Sequence, residues 1–246
     1  MAIVYGELFQ SQKAPRRGGT ICFEALKSLE AAEKYAPKYK TAVLNFANPI
    51  EAGGGVLRGA DAQEEYLCRA SNLYNIISDA AVAEYYNTHK RLMRAAADDS
   101  VFIGTDSLIY SPNVTVFKDM GGGVSGEEKI LRDSKDWFHI DVITCAAPFS
   151  DRPISQNQGK ELFVIFKRRI ANIFEAAIEN DAEALVLGAW GCGAFNNPPE
   201  IVAEAFKEVL SEERYLSAFE KVVFAVMRGG RNAEIFGKYF ADKFNE

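Results

Sequence analysis

Gly53-Gly54-Gly55, then seven residues, then Gln63-Glu64-Glu65: these thirteen positions decide how the chain is read. Three consecutive glycines form a loop whose backbone N–H groups meet an anion without side-chain obstruction. Two adjacent carboxylates follow within one predicted helical turn. Working outward, Thr41-Ala42-Val43-Leu44-Asn45-Phe46 has the continuous apolar character of a buried strand, and it runs through Ala47-Asn48-Pro49 into the loop. The loop therefore starts at the strand edge where open α/β sheets take their ligands. An anion held there beside paired glutamates suits cleavage of a glycosidic bond in a nucleotide sugar.

The glutamates also have structural readings. Asp61 and Glu64 fit a capping box, and Glu65 stands one turn before Arg69. Neighbours on a helix point about 100° apart, so both carboxylates reach one ligand only if it lies across the helix start. The glycine loop sets a ligand there. A general acid needs a proton near neutral pH. The helix N-terminus opposes that at Glu65, whereas burial, a bound diphosphate and the like charge of Glu64 favour it.

A second glycine loop follows the strand predicted at residues 184–187: Gly188-Ala189-Trp190-Gly191-Cys192-Gly193-Ala194-Phe195-Asn196-Asn197. A helix starts just beyond, at Pro198 or Pro199, with Asn197 and Glu200 as its capping box. Such a junction offers N–H groups and a helix dipole to an anion. It is not a dinucleotide fingerprint, because Asn196 stands where the third glycine belongs, and no Walker lysine follows either loop. Cys192 has no basic partner in sequence and reads as structural. Gly121-Gly122-Gly123, followed by Glu127-Glu128, mimics the first motif without its glutamine or spacing and reads as a solvated loop.

Elsewhere, apolar periodicity predicts helices over residues 62–77, 80–97, 159–180 and 199–210, and strands over 107–110, 114–117, 138–145 and 222–227, with a C-terminal helix. The first 40 residues read as a helical, irregular extension with a basic stretch at Pro15-Arg16-Arg17. Strands alternating with helices of this length predict one α/β domain over residues 1–246, a mixed sheet covered on both faces.

Composition narrows the function classes. A net charge of −6 argues against broad binding to DNA, so a polyanionic substrate must be gripped by local N–H groups and dipoles. The four cysteines form no C-x-x-C pair, and the two histidines, His89 and His139, have no ligand spacing; no metal or cofactor is expected. No apolar run has the length of a membrane span, and the start Met1-Ala2-Ile3-Val4-Tyr5 has no basic segment leading into an apolar one. A cytoplasmic protein is expected.

The triple glycine with Gln-Glu-Glu downstream resembles the signature of the poly(ADP-ribose) glycohydrolase family, in its bacterial-type branch. The second loop resembles the diphosphate-binding loop of that family and of macrodomains in general. The resemblance implies a macrodomain-like three-layer α/β/α fold and hydrolysis of ribose–ribose O-glycosidic bonds in poly(ADP-ribose), releasing ADP-ribose. It implies that Glu65 protonates the leaving ribose oxygen, that Glu64 holds ribose hydroxyls, that Asn48 contacts the terminal ribose and that Phe195 packs against ribose and base. The expected ligand contacts are Asn48, Gly53, Gly54, Gly55, Val56, Gln63, Gly191, Cys192, Gly193, Ala194, Phe195 and Asn196. Two alternatives stay open: an ADP-ribosyl hydrolase acting on ADP-ribosylated proteins or another acceptor, and a macrodomain-like reader that binds ADP-ribose without chemistry. Glu64 and Glu65 favour catalysis, since a reader needs no carboxylates beside the sugar.

Overall fold

The computed structural model describes residues 1–14, 18–96, 101–119, 130–150 and 154–241. In chain order the elements are β1 (Ile3–Tyr5), β2 (Thr20–Glu24), α1 (Ser28–Tyr35), β3 (Thr41–Phe46), α2 (Gln63–Ala70), α3 (Leu73–Ile77), α4 (Ala83–Ala95), β4 (Leu108–Val116), β5 (Lys118–Asp119), β6 (Ile130–Leu131), β7 (Phe138–Cys145), α5 (Gln156–Glu179), β8 (Ala184–Leu187), α6 (Pro199–Leu210), α7 (Glu213–Leu216), β9 (Lys221–Ala225) and α8 (Arg231–Phe240). Seven strands form one sheet in the order β1-β4-β7-β3-β8-β9-β2. From β7 to β2 neighbours run parallel, while β4 is antiparallel to both β7 and β1. The sheet is mixed, as expected.

β3 lies at its centre, which explains the uninterrupted apolar run. Alternate residues face opposite layers. Ala42 and Leu44 join the core shared with Phe166, Ile170 and Ile173 of α5 and Phe206 of α6. Val43 joins the other core, with Leu29 of α1, Leu67 of α2 and Leu73 of α3. Helices thus cover both faces, the three-layer α/β/α arrangement predicted. Among the described residues no helix is long and apolar enough to cross a membrane.

The N-terminal expectation needs correction. Residues 1–40 are not a helical extension: among the described residues of that stretch only α1 is an α-helix, and β1 and β2 are the two outer strands of the main sheet. Both are short, and their pairing partners β4 and β9 are distant in sequence, so no local periodicity announces them. The helix expected over 62–77 breaks at Ser71-Asn72. There Ser71 turns to extended backbone and bridges Val116, and Asn72 Oδ1 accepts the Thr115 N–H. Conversely, the strands expected at 107–110 and 114–117 are one strand, β4, irregular between Ser111 and Val114 where Asn113 takes a positive φ. α5 starts earlier than Gly159, capped by Ser155 and Gln158. Arg16, Arg17 and the glycines at 121–123 lie outside the described residues.

Candidate active site

Five parallel strands end at one edge, and the residues just past those ends line a cavity of about 610 Å³. Phe46 ends β3 and Asn48 lies just beyond it; Ala147 follows β7, Val226 and Met227 follow β9, and Leu26, Lys27 and Ser28 follow β2. Gln63, Glu64, Glu65 and Tyr66 at the start of α2 form one wall, and Gly191, Gly193, Ala194 and Phe195 of the second glycine loop form another.

Glu64 and Glu65 reach this wall although only 3% and 7% exposed. Glu64 Oε1 accepts the Asn45 Nδ2 hydrogen at 3.1 Å, and its Oε2 accepts the Asn48 N–H at 2.7 Å. Glu65 Oε1 accepts the Gly55 N–H at 2.8 Å and Oε2 the Ala62 N–H at 3.1 Å. Glu65, not Glu64, therefore closes the start of α2. Arg69 pairs instead with Asp61 at 3.1 Å.

A Cβ on Gly54 would stand 2.5 Å from Glu65 Oε1 and 3.1 Å from Glu64 Oε2. The two carboxylates thus converge on one residue that must be glycine, in a backbone of φ +57. This revises the first loop. The N–H groups of Gly54, Gly55 and Val56 are turned to the protein itself, with that of Gly54 on the Glu51 carbonyl at 3.0 Å. Gly53, Gly54, Gly55 and Val56 stand behind the glutamates and not on the cavity wall. Burial pushes Glu64 up to about 8, and the like charge of Glu65 adds to the shift while the N–H donors oppose it. Burial therefore favours the protonated form of Glu64 at neutral pH.

Gln63 lines the cavity but its amide is fully engaged. Its Oε1 accepts the Phe46 N–H at 2.8 Å, and its Nε2 donates to the Leu44 carbonyl at 2.9 Å and to Ser28 Oγ at 3.2 Å. It clamps α2 to β3 and to the start of α1. Asn48 is anchored through Oδ1, which accepts the N–H groups of Ile50 and Glu51, leaving its Nδ2 without a partner among the described residues.

The second loop is built to leave its donors unused. Trp190 is buried, donates to the Cys145 carbonyl at 3.0 Å and packs edge-on against Phe166. Gly191 takes φ +74, and a Cβ there would stand 2.6 Å from the Ala147 Cβ. Asn197 does not cap α6 with Glu200; its Nδ2 bonds the carbonyls of Pro148 and Gly191, and Glu200 pairs with Arg231. So braced, the N–H groups of Gly191, Gly193, Ala194 and Phe195 have no acceptor among the described residues. Phe195 packs edge-on to Phe149 at 5.5 Å and still lines the cavity. Cys192 and Asn196 are turned elsewhere, to the Trp190 and Ser150 carbonyls. Burial pushes the Cys192 thiol well up, which leaves it inert. Lys27 is the cation on the described wall, against Asp61, Glu64 and Glu65, so an anion here depends on backbone donors.

His89 is buried, with its ring nitrogens on the Tyr85 carbonyl and on Thr105. His139 bonds Thr115, so both histidines have structural partners. Sequence reasoning missed Asn45, Ala147, the Leu26–Ser28 corner, Val226, Met227 and Asn232. Most follow directly after parallel strands, and that rule would have found them once the strands β2, β7 and β9 were aligned.

The family described as "Microbial-type PARG, catalytic domain" matches residues 3–119. No curated protein matches the chain. A poly(ADP-ribose) glycohydrolase from Thermomonospora curvata, solved with the inhibitor ADP-HPD, is 32% identical over 97% of this chain and 85% of its own, with a TM-score of 0.76. One from Deinococcus radiodurans, solved with ADP-ribose, is 28% identical over 97% of this chain and 93% of its own, with a TM-score of 0.78. The identity, the coverage and the two loops agree: the chain belongs to the microbial-type poly(ADP-ribose) glycohydrolase family.

Proposed function

We propose that the protein hydrolyses the ribose–ribose O-glycosidic bonds of poly(ADP-ribose) and releases ADP-ribose. The observation that carries this reading is the pairing, across one cavity, of a row of unused N–H groups with two buried carboxyls that hold a proton. The diphosphate lies along Gly191 to Phe195, where donors are fixed before the ligand arrives and need no reorganisation. Phe195 packs on the ligand, and the free Nδ2 of Asn48 meets the terminal ribose. Glu64 orients the ribose hydroxyls. Glu65 gives its proton to the departing ribose oxygen as the anomeric carbon gains oxocarbenium character, and water then attacks that carbon. The C–O bond breaks with its electrons on the leaving oxygen, which keeps the proton, and the water's own proton restores the acid.

The two carboxyls share one buried corner of the site, and the charge of Glu65 disfavours ionisation of Glu64. Burial holds the proton on Glu64 before the ligand binds, and the negative charge of a bound diphosphate favours the acid form of a carboxyl beside it. A reader of ADP-ribose has no use for this arrangement, because burying two acids beside an anionic ligand weakens binding. The four free thiols suit a reducing cytoplasm, which belongs to the same reading. Incubation of the purified protein with poly(ADP-ribose), with and without EDTA, tests it. Release of ADP-ribose in both arms is expected. Polymer bound but left intact points to a reader, removal of single units from modified protein alone points to the other hydrolase class, and loss of turnover with EDTA points to a metal.

A further inference from the structure

Asn45 is fully buried near the end of β3, directly opposite Thr144 of β7. Its Nδ2 donates both hydrogens, to Glu64 Oε1 at 3.1 Å and to Thr144 Oγ1 at 3.2 Å, while its Oδ1 is buried and accepts nothing. The two ends of an amide have nearly the same shape, and a half-turn exchanges them. As oriented, the NH2 group serves an ionised Glu64. After the half-turn, Oδ1 would face Glu64 Oε1 and Thr144 Oγ1, each able to donate an O–H. One side chain thus fits either charge state of Glu64.

We propose that Asn45, steadied by Thr144, is a positioning residue that holds Glu64 in one place whether Glu64 is protonated or ionised. The proton can then leave the glutamate pair and return without displacing either carboxyl. This inference rests on the glycosidase reading above. The titratable groups around Glu64 are Glu65 and Cys68 from its own helix and Tyr85 and Tyr86 from α4. None of these four is a cation, and Lys27 stands on the same cavity wall as Glu64. Ionised Glu64 is held by two N–H donors, from Asn45 and Asn48. Removing the first disfavours ionisation and moves the titration upward.

The test is the pH dependence of kcat and kcat/KM on poly(ADP-ribose) for the wild type, Asn45→Leu, Thr144→Val and Thr144→Ser, beside ADP-ribose calorimetry and a melting curve. For Asn45→Leu we expect kcat to fall about tenfold or more and the alkaline limb to move up by about half a pH unit or more, with ADP-ribose affinity within about threefold. Thr144→Val should shift the limb the same way by less, and Thr144→Ser should restore it. A purely structural role would lower the melting temperature and leave the limb in place, and that result overturns the inference. If Asn45→Leu does not fold, the two Thr144 variants decide alone. A wild type that does not cut the polymer overturns the glycosidase reading instead, which is a separate outcome.

Discussion

The two glycine loops are alike in composition and opposite in use. At Gly54 and Gly55 the backbone N–H groups are taken by the protein, that of Gly54 by the Glu51 carbonyl and that of Gly55 by Glu65. At Gly191, Gly193, Ala194 and Phe195 no N–H has an acceptor among the described residues. The first loop is a cradle for carboxylates already in the chain, and in the proposed function the second is a cradle for a ligand's anion. Glycine permits close approach in both cases but does not say to what. The acceptor decides: a carboxylate ten residues downstream folds back onto the first loop, while Asn197 and Trp190 brace the second and leave its donors unpaired on the cavity wall among the described residues. Substitutions in the first loop should therefore damage chemistry, and those in the second should damage affinity.

Gly54→Ala should have the largest effect. Its Cβ would stand 2.5 Å from Glu65 Oε1 in a left-handed backbone, so the carboxyl must move. A displacement of about 1 Å at a reacting group costs about 10²-fold in kcat, and that loss should exceed any change in ADP-ribose affinity. Equal losses in both would erase the distinction between the loops. Gly193→Val is the counterpart. Nothing stands within 4 Å of its Cβ position, so the fold should tolerate the side chain while the path of the diphosphate is obstructed. Calorimetry should show ADP-ribose binding weakened by about tenfold, about 1.4 kcal/mol, with a melting temperature near that of the wild type. Unchanged affinity in a folded variant would move the diphosphate away from this loop.

The smallest effect concerns stability. Burial raises Glu64 from 4.5 to about 8, so the folded state binds this proton more tightly than the unfolded chain does. Its contribution is fully present below about 4.5 and is lost as pH rises through about 8. Gln has no proton to lose. Glu64→Gln should therefore melt close to the wild type in acid and above it in alkali, with the gap opening as pH rises toward 8. The wild-type kcat/KM should fall over the same range. A Glu64→Gln variant that melts lower than the wild type at alkaline pH would show that Glu64 is held as a stabilising carboxylate.

Much of this was legible in the sequence because its signals are local. β3, β7, β8 and α6 declare themselves through apolar runs and punctuation, and the motif from Gly53 to Glu65 lies within one strand–loop–helix unit. The glutamate pair and the second loop were found for that reason. What escaped depends on pairing over long sequence distances. β2 makes sense only beside β9, about 200 residues away, and with it came the Leu26–Ser28 side of the cavity. The roles of Gln63 and Asn45 were hidden likewise: Gln63 reads as a ligand contact and Asn45 as one residue of a buried strand, and only their hydrogen bonds show that Gln63 is a clamp and that Asn45 donates to Glu64. The direction of the triple glycine's N–H groups was misread because donors can be counted from sequence and their acceptors cannot.

Glu65→Gln tests the central claim most directly. Glutamine keeps the shape of the side chain and can still accept the Gly55 N–H, but it has no proton to give. Product release from poly(ADP-ribose), measured alongside ADP-ribose calorimetry on the same preparation, should show hydrolysis reduced by about 10²-fold or more with affinity nearly unchanged. Turnover at the wild-type rate would contradict the account, because the carboxyl at the start of α2 would then be a helix cap and nothing more.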